Sequence, residues 1–403
     1  MKCGMKKILM LGGMHTQLPA IKKAKEMGFY VITADYLPNN PGHKFAHEYH
    51  NVSITDNEAI LELAKKMSVD GIVSYANDFG VISAAYACEK LGLPTSPYKS
   101  VDILSNKDKF RTFLKDNGFN TPQAKGYSES DIREALNEIT EFSLPVVIKP
   151  VDSNGCRGIT TLTDLPKLKK QIEYALSFSK VKRFIIEEFV ERDGYQVGGD
   201  GFSVNGDLAF RCFSNSHFDA KSNFIPFGES FPYVKSTEVH TKIHNEFQRL
   251  LTLLDMKSTA YNFEARLNKN GDIFIMEAAP RNGGTYIPQV THYATGVDMV
   301  EYSIKAAMGM DCSDLKMVEP NGFWAVYEVH SFDEGTLKDI WIDDSFKRNN
   351  LVEFDMFRQI GDKIKAAVDE SGLFGIMILK FATQEEMIEK MNNMYNWVKV
   401  VLE

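Results

Sequence analysis

The 403-residue sequence lacks the features of several protein classes. Its five cysteines are odd in number and form no C-x-x-C pair, which argues against a disulfide framework or a thiolate zinc site. No hydrophobic run reaches the roughly 20 residues of a membrane span, and the run after the basic start is too short for a secretory signal. Acidic residues outnumber basic ones by 54 to 46, so there is no basic excess for nucleic acid. We therefore expect a cytoplasmic protein that binds neither nucleic acid nor membrane.

The remaining composition is that of a folded protein with more than one domain. Hydrophobic residues make up 44% and charged residues 25%, which excludes wholesale disorder. The chain is longer than a single hydrophobic core usually organises, so we expect two or three domains. A P-loop and the motif set of protein kinases are both absent, so a nucleotide site would have to be of another kind.

The first hundred residues alternate between short apolar runs and helical spacing. Strands are predicted near 8–11, 29–34 and 71–75, with helices between and after them. Such alternation predicts an open parallel sheet with ligands near the carboxyl ends of its strands. Asp35, Asn77 and Asp78 follow predicted strands, where either a substrate contact or a solvated loop is consistent with the pattern.

Composition shifts divide the rest of the chain. We predict domains at 1–97, 98–312 and 313–403, with the central one split into lobes at 118–186 and 187–312. The central part is rich in strands and has an α+β pattern, unlike the first domain. Residues 214–227 are predicted to form a loop, either mobile or in contact with substrate, and a final helix is predicted from about 383.

A strand ending in a lysine, followed by a glycine-containing loop, is the first chemical motif. Lys149 ends the apolar strand, and the loop contains Ser153, Gly155, Arg157 and Gly158. Glycine lets backbone N–H groups approach an anion closely, and the two cations add full charges. The pattern favours a bound triphosphate, although a β-hairpin with a polar loop also fits.

Two acids at the end of the next apolar strand, Glu187 and Glu188, form the second motif. Burying both without partners would be costly. A strand edge here could offer backbone groups to an adenine, and a surface strand end with two solvated acids is the alternative.

The third motif is a predicted hairpin with an acid on each strand. Glu264 precedes the Asn268-Lys269-Asn270-Gly271 turn and Glu277 follows it, so period-2 alternation can place both on one face. Adjacent carboxylates repel unless a cation joins them, and hard oxygen ligands beside phosphate favour Mg²⁺. Arg281 could then bind the transferred phosphate. A structural salt bridge to Arg266 or Arg281 is the alternative.

In this order and spacing, the motifs resemble those of the ATP-grasp superfamily, and of its carboxylate–amine ligases in particular. The residues concerned are Lys107, Lys149 with its loop, Glu187 to Val190, Glu264, and Glu277-x-x-Pro280-Arg281. The resemblance covers nearly the whole chain. It implies an α/β and α+β architecture: an ATP-grasp fold, an N-terminal open parallel pre-ATP-grasp domain and a small C-terminal mixed domain.

The resemblance also implies roles for individual residues. Contacts with ATP are implied for Lys107, Lys149, Ser153, Gly155, Gly158, Glu187, Glu188, Val190 and Gln196. Mg²⁺, with Mn²⁺ as an alternative, is implied at Glu264 and Glu277, and catalytic roles are implied for Lys149, Arg157 and Arg281. Two positions depart from the family pattern: Ala279 stands where asparagine is common, and Gln196 where glutamate is common.

The implied activity is ATP-dependent ligation of a small carboxylate to an amine through an acyl phosphate, giving ADP and phosphate. Phosphoribosylglycinamide synthesis from phosphoribosylamine and glycine is one alternative, and a carboxylase reaction on bicarbonate is another. A non-catalytic ATP-binding protein is an alternative of a different class, with Ala279 as its only support. Family analogy leads us to expect a homodimer.

Overall fold

The computed structural model describes residues 4–219, 225–367 and 372–403, and the chain begins with a parallel sheet. Its strands are β1 (Lys7–Leu11), β2 (Tyr30–Ala34), β3 (Glu48–His50) and β4 (Gly71–Val73), in the order β3-β2-β1-β4. Its helices are α1 (Leu18–Glu26), α2 (Asn57–Met67) and α3 (Val81–Leu91). Helices α2 and α3 pack on one face and α1 on the other, which explains why β1 is apolar from Ile8 to Leu11. The predicted open parallel sheet is confirmed.

Two helices, α4 (Tyr98–Ser105) and α5 (Lys107–Asp116), lead into a small antiparallel sheet. Its strands, in the order β5-β8-β6-β7, are β5 (Ala124–Ser128), β6 (Val146–Pro150), β7 (Thr160–Leu162) and β8 (Arg183–Glu188). Helices α6 (Ile132–Glu138) and α7 (Leu168–Phe178) bury one face of this sheet against Ile148 and Ile186. Because strand side chains alternate, Lys149 and Glu187 lie on the opposite face.

A large antiparallel sheet forms the centre of the protein. Its eight strands are β9 (Gln196–Val204), β10 (Asp207–Phe218), β11 (Pro226–Phe231), β12 (Thr259–Leu267), β13 (Ile273–Ala279), β14 (Phe323–His330), β16 (Leu351–Met356) and β18 (Leu373–Phe381). They lie in the order β13-β12-β9-β10-β11-β14-β18-β16. Helix α8 (Thr237–Leu253) packs on one face, and helices α9 (Ile287–Thr295) and α10 (Met299–Ala307) pack on part of the other.

The last part of the chain adds a three-stranded sheet and two helices. The strands β15 (Gly335–Ile342), β17 (Lys363–Ile364) and β19 (Val398–Leu402) lie in the order β17-β15-β19, and the helices are α11 (Asp344–Asn349) and α12 (Gln384–Asn392). The large sheet continues through β14, β16 and β18, across the domain boundary predicted at residue 312. The division into domains therefore stays a prediction. None of the described helices is both long and apolar enough to cross a membrane.

Two local predictions were wrong. Part of the loop predicted at 214–227 is strand, because β10 runs to Phe218 and β11 begins at Pro226; residues 220–224 of that loop lie outside the described residues. The loop prediction failed because polar residues of this segment, such as Asn215 and His217, are buried and hydrogen-bonded to the neighbouring strand instead of facing solvent. The predicted final helix is also not the last element, since α12 is followed by β19, whose valines form a strand.

Candidate active site

The floor of the site is the face of the large sheet opposite α8, where two carboxylates lie side by side. The register of β12 and β13 pairs Glu264 directly with Glu277, and an irregularity follows this pair. Burial, together with the Glu277 carboxylate, raises the pKa of Glu264 to about 7. The structure thus brings together the two acids that the sequence places on a hairpin.

Gln196 links Glu264 to a buried arginine. Its Nε2 donates to Oε2 of Glu264 at 3.0 Å, and its Oε1 accepts from Nε of Arg266 at 2.7 Å. The Arg266 Nη1 also donates to the carbonyl oxygen of Val190 at 3.0 Å. Gln196 therefore orients one carboxylate of the pair, and its implied contact with ATP stays a prediction.

A buried group of three charges lies on the facing small sheet. The Glu187 carboxylate accepts from Nε of Arg111 at 2.9 Å and pairs with Nζ of Lys149. Burial opposes ionisation, but the two cations hold the pKa of Glu187 at about 2. The single negative charge of Glu187 is paired with two cations, so one positive charge is left in excess beside the acids of the floor.

The glycine-containing loop lies next to the first residue of α5. The Nζ of Lys107 donates to the carbonyl oxygen of Ser153 at 2.6 Å. Gly155 and Gly158 adopt φ values of 60° and 76°, which glycine adopts at little cost, and Arg157 is half-buried in the same loop. Lys107, Ser153 and Glu277 are among the residues that line a cavity of about 500 Å³.

The end of β8 offers backbone rather than side-chain groups. The Glu188 carboxylate turns away from Glu187 and accepts from the backbone N–H of Ser143 at 2.8 Å. Within the described ranges, the backbone N–H of Val190 donates a hydrogen bond to no protein group. A backbone donor is therefore left at the position where the resemblance implies adenine.

Arg281 forms a two-point ion pair with Asp78 of the first sheet. Its Nε and Nη2 donate to Oδ1 and Oδ2 of Asp78 at 2.6 and 2.8 Å. Burial would raise the pKa of Asp78, but the guanidinium of Arg281 and the amide of Asn154 hold that pKa below its usual range. Arg281 is therefore held at the edge of the site by a residue 203 positions away in sequence.

Asn282 does not replace the asparagine that is missing at Ala279. Its side chain points into the core, where Oδ1 accepts from the Ser303 hydroxyl at 2.5 Å. The buried carboxylate of Asp200 accepts from the backbone N–H of Gly283 at 2.9 and 3.1 Å. These contacts fix the turn that follows Arg281.

The donor set fits a magnesium ion that arrives with its nucleotide. In the described parts of the chain, no three His, Cys, Asp or Glu residues form a metal-binding cluster. Mg²⁺ commonly takes one or two protein carboxylates and completes its octahedron with water and substrate phosphates. Glu264 and Glu277 would supply those two carboxylates, and a cation bound between them would offset the repulsion that contributes to the raised pKa of Glu264.

Sequence reasoning missed Arg111, and it found Asp78 only as one of several residues after strands. A signal for Arg111 was present, because it lies four residues after Lys107, on the same face of α5. No local signal marks the partnership of Asp78 with Arg281, since it depends on how the first sheet packs against the large one.

Glu229 is a third acid on the floor that sequence reasoning missed. Its carboxylate lies over Gly198, since a Cβ atom added there would be 2.6 Å from Oε2 of Glu229. The hydroxyl of Ser214 donates to the same oxygen at 2.5 Å. Burial raises the pKa of Glu229 to about 8, and the charges of Glu264 and Asp200 raise it further.

We expect Glu229→Gln to remove a pH dependence from the ligand-free protein. The folded state keeps Glu229 protonated up to about pH 8, whereas the unfolded chain releases that proton near pH 4.3. The folding free energy gained from Glu229 is therefore complete at low pH and is lost as the pH rises towards 8. In thermal unfolding, the Tm of the variant should rise relative to wild type between pH 5 and pH 8. Exposed Glu191→Gln is the control, and an equal offset for Glu229→Gln at both pH values would contradict the expectation.

Comparison with known proteins finds similarity to one family over part of the chain. Residues 142–289 match the model of the ATP-grasp domain. The chain is 27% identical, over 64% of its length, to alanine–anticapsin ligase from Bacillus subtilis, and it spans 58% of that relative's length. An L-amino acid ligase structure from Bacillus licheniformis superimposes with a TM-score of 0.80 at 19% identity, covering 99% of each chain. A phosphoribosylglycinamide synthetase structure from Anaerococcus prevotii gives 0.74 at 22% identity, covering 99% of this chain and 100% of that one. These two structures establish the fold.

Proposed function

Because the chain has the ATP-grasp fold and residues 142–289 match the model of the ATP-grasp domain, we propose that it is an ATP-dependent ligase that joins a small carboxylate to an amine. The observation that carries this proposal is the Glu264–Glu277 pair, which lies opposite the cations Lys149 and Arg111. An acidic metal site beside excess positive charge suits a magnesium-bound triphosphate. The similarity to alanine–anticapsin ligase supports the same class of reaction.

The first step is attack of a substrate carboxylate oxygen on the γ-phosphorus of ATP. An O–P bond forms to give an acyl phosphate, and the bond to the β-phosphate oxygen breaks to release ADP. Lys149 and Lys107 would hold the phosphates, and Arg281 would stabilise charge on the moving phosphoryl group. Bound Mg²⁺, held by Glu264 and Glu277, would neutralise the triphosphate.

In the second step, the amine attacks the acyl carbon. A C–N bond forms, the C–O bond to phosphate breaks, and the amine releases a proton. No nucleophilic side chain is required, so the contribution of the protein is positioning, charge stabilisation and exclusion of water. The loop with Ser153, Gly155, Arg157 and Gly158 would cover the phosphates, and the Val190 N–H would bind the adenine. The expected homodimer remains a proposal based on family analogy.

The test is ADP release from Mg-ATP against a matrix of amino acids, other small carboxylates and amines, with product identified by mass. Arms with bicarbonate, and with phosphoribosylamine plus glycine, cover the two alternative reactions. ADP and amide that appear together, and only when one acid and one amine are both present, would support the proposal. Tight binding of ATP with no ADP in any arm would favour a non-catalytic nucleotide-binding protein instead.

A further inference from the structure

Hydrogen bonds of Ser74 and Asn77 hold the loop that carries Asp78. The Asn77 side chain accepts from the backbone N–H of Phe79 at 3.1 Å, and the Ser74 hydroxyl donates to the Asn77 carbonyl at 2.5 Å. Ala76 adopts a φ of 48°, a backbone conformation that residues other than glycine rarely adopt. Such strain persists only where the surroundings enforce it, and it is common at functional sites.

Asp78 engages one edge of the Arg281 guanidinium and leaves another edge available. A guanidinium has five N–H donors. Asp78 takes one from Nε and one from Nη2, and the Asn282 carbonyl takes one from Nη1 at 2.9 Å. No group in the described part of the chain accepts from the two remaining N–H groups, one on each Nη. Guanidinium N–H groups suit the oxygens of a carboxylate or phosphoryl group.

The same carboxylate also holds the glycine-containing loop. The Nδ2 of Asn154 donates to Oδ2 of Asp78 at 3.0 Å, and that oxygen is the one bound by Nη2 of Arg281. Beside it, Nζ of Lys180 lies 5.1 Å from the ring centre of Phe79. One residue of the first sheet therefore contacts both the loop and the arginine, which belong to different sheets.

We propose that Asp78 is a positioning residue that aims Arg281 at the reacting group and holds the glycine-containing loop in place. The role in aiming Arg281 rests on the proposed ligase function, since Arg281 acts on substrate only if phosphoryl transfer occurs. The role in holding the loop does not depend on that function. The position of the loop and the alignment of Arg281 then depend on a single carboxylate.

Asp78→Asn tests both roles. The amide keeps the size of the side chain, but it removes the charge and one of the two acceptors that face Arg281. We expect kcat for ADP formation to fall about 100-fold, as for a misplaced catalytic group. Asn154→Ala removes only the loop contact, so it should raise the KM for ATP several-fold and change kcat little. Asp70→Asn is the matched control: Asp70 directly precedes β4, and among the described residues its carboxylate accepts from the backbone N–H of Lys7 alone.

If Asp78 only supported the fold, its substitution would not be coupled to a substitution of Arg281. Combined with Arg281→Lys, Asp78→Asn should add little further loss, because both changes act through one group. Additive losses, or an unchanged kcat in Asp78→Asn, would overturn the positioning of Arg281.

Hydrogen exchange of residues 153–159 without nucleotide tests the loop separately from turnover. Faster exchange in Asp78→Asn and in Asn154→Ala, but not in Asp70→Asn, is expected. Unchanged exchange in these two variants would overturn the role of Asp78 in holding the loop. A third outcome separates the two claims. If wild type forms no ADP in any arm but loop exchange is still faster in Asp78→Asn and Asn154→Ala, the ligase function and the positioning of Arg281 are both overturned. The role of Asp78 in holding the loop is then supported.

Discussion

Glu277→Gln is expected to lower ADP formation at least about 1,000-fold while leaving the fold intact. Glutamine keeps the size of the side chain but removes one of the two negative charges that would hold Mg²⁺. The fold should tolerate the change, because Glu277 is only half-buried and lies directly opposite another acid, Glu264. Loss of that repulsion leaves the free energy of unfolding equal or higher.

The measurement is the rate of ADP release under saturating ATP, together with the Tm of each protein. Asp272→Asn, an exposed acid on the same hairpin, is the matched control and should retain wild-type turnover. Glu264→Gln should also lose turnover, because it removes the other carboxylate of the pair. Retention of most activity in Glu277→Gln would remove Glu277 from the metal site.

Glu187→Gln should give the largest loss of stability among these variants. The carboxylate is 2% exposed and neutralises Arg111 and Lys149, both of which are also buried. Removing one partner of a buried ion pair leaves an uncompensated charge, which costs about 3 kcal/mol of unfolding free energy. The loss should appear as a lower midpoint in urea unfolding at pH 7.

The pH dependence of the same pair has a definite sign. The pKa of Glu187 is near 2 in the folded state and near 4.3 in an unfolded chain, so its contribution is complete above pH 4.3 and is lost as the pH falls towards 2. The difference in stability between wild type and Glu187→Gln should therefore shrink in acid. Glu188→Gln is the control, since in the described part of the chain the Glu188 carboxylate accepts from the Ser143 backbone N–H alone. This variant should lose about 1 kcal/mol of unfolding free energy. Equal costs for the two variants would contradict the buried ion pair.

Local patterns in the sequence were sufficient to predict the acidic hairpin. The turn beginning at Asn268 fixes which strand residues pair, and period-2 alternation then places Glu264 and Glu277 on one face. The strand Val146–Pro150, which contains Lys149, is likewise identified by its sequence, since four of its five residues are apolar, and the structure buries all five. These predictions succeed because pairing partners close in sequence have few alternatives.

Contacts between distant segments could not be predicted in this way. Arg111 meets Glu187 across 76 residues, and Asp78 meets Arg281 across 203. Each pair depends on how separate elements pack: α5 packs against β8 in the first pair, and the loop after β4 packs against the end of β13 in the second. That packing leaves no periodic pattern near either residue. The same limit applies to Gln196, whose amide bonds Glu264 across 68 residues and Arg266 across 70.

The most direct test of the central claim follows an oxygen atom from the carboxylate substrate. The acid of the most active acid–amine pair is labelled with ¹⁸O in its carboxylate, and the phosphate released with ADP is analysed by mass spectrometry. Transfer through an acyl phosphate predicts one ¹⁸O atom in each phosphate molecule. ADP formation with unlabelled phosphate would show that water, rather than the carboxylate, attacks ATP, and would contradict the ligase mechanism.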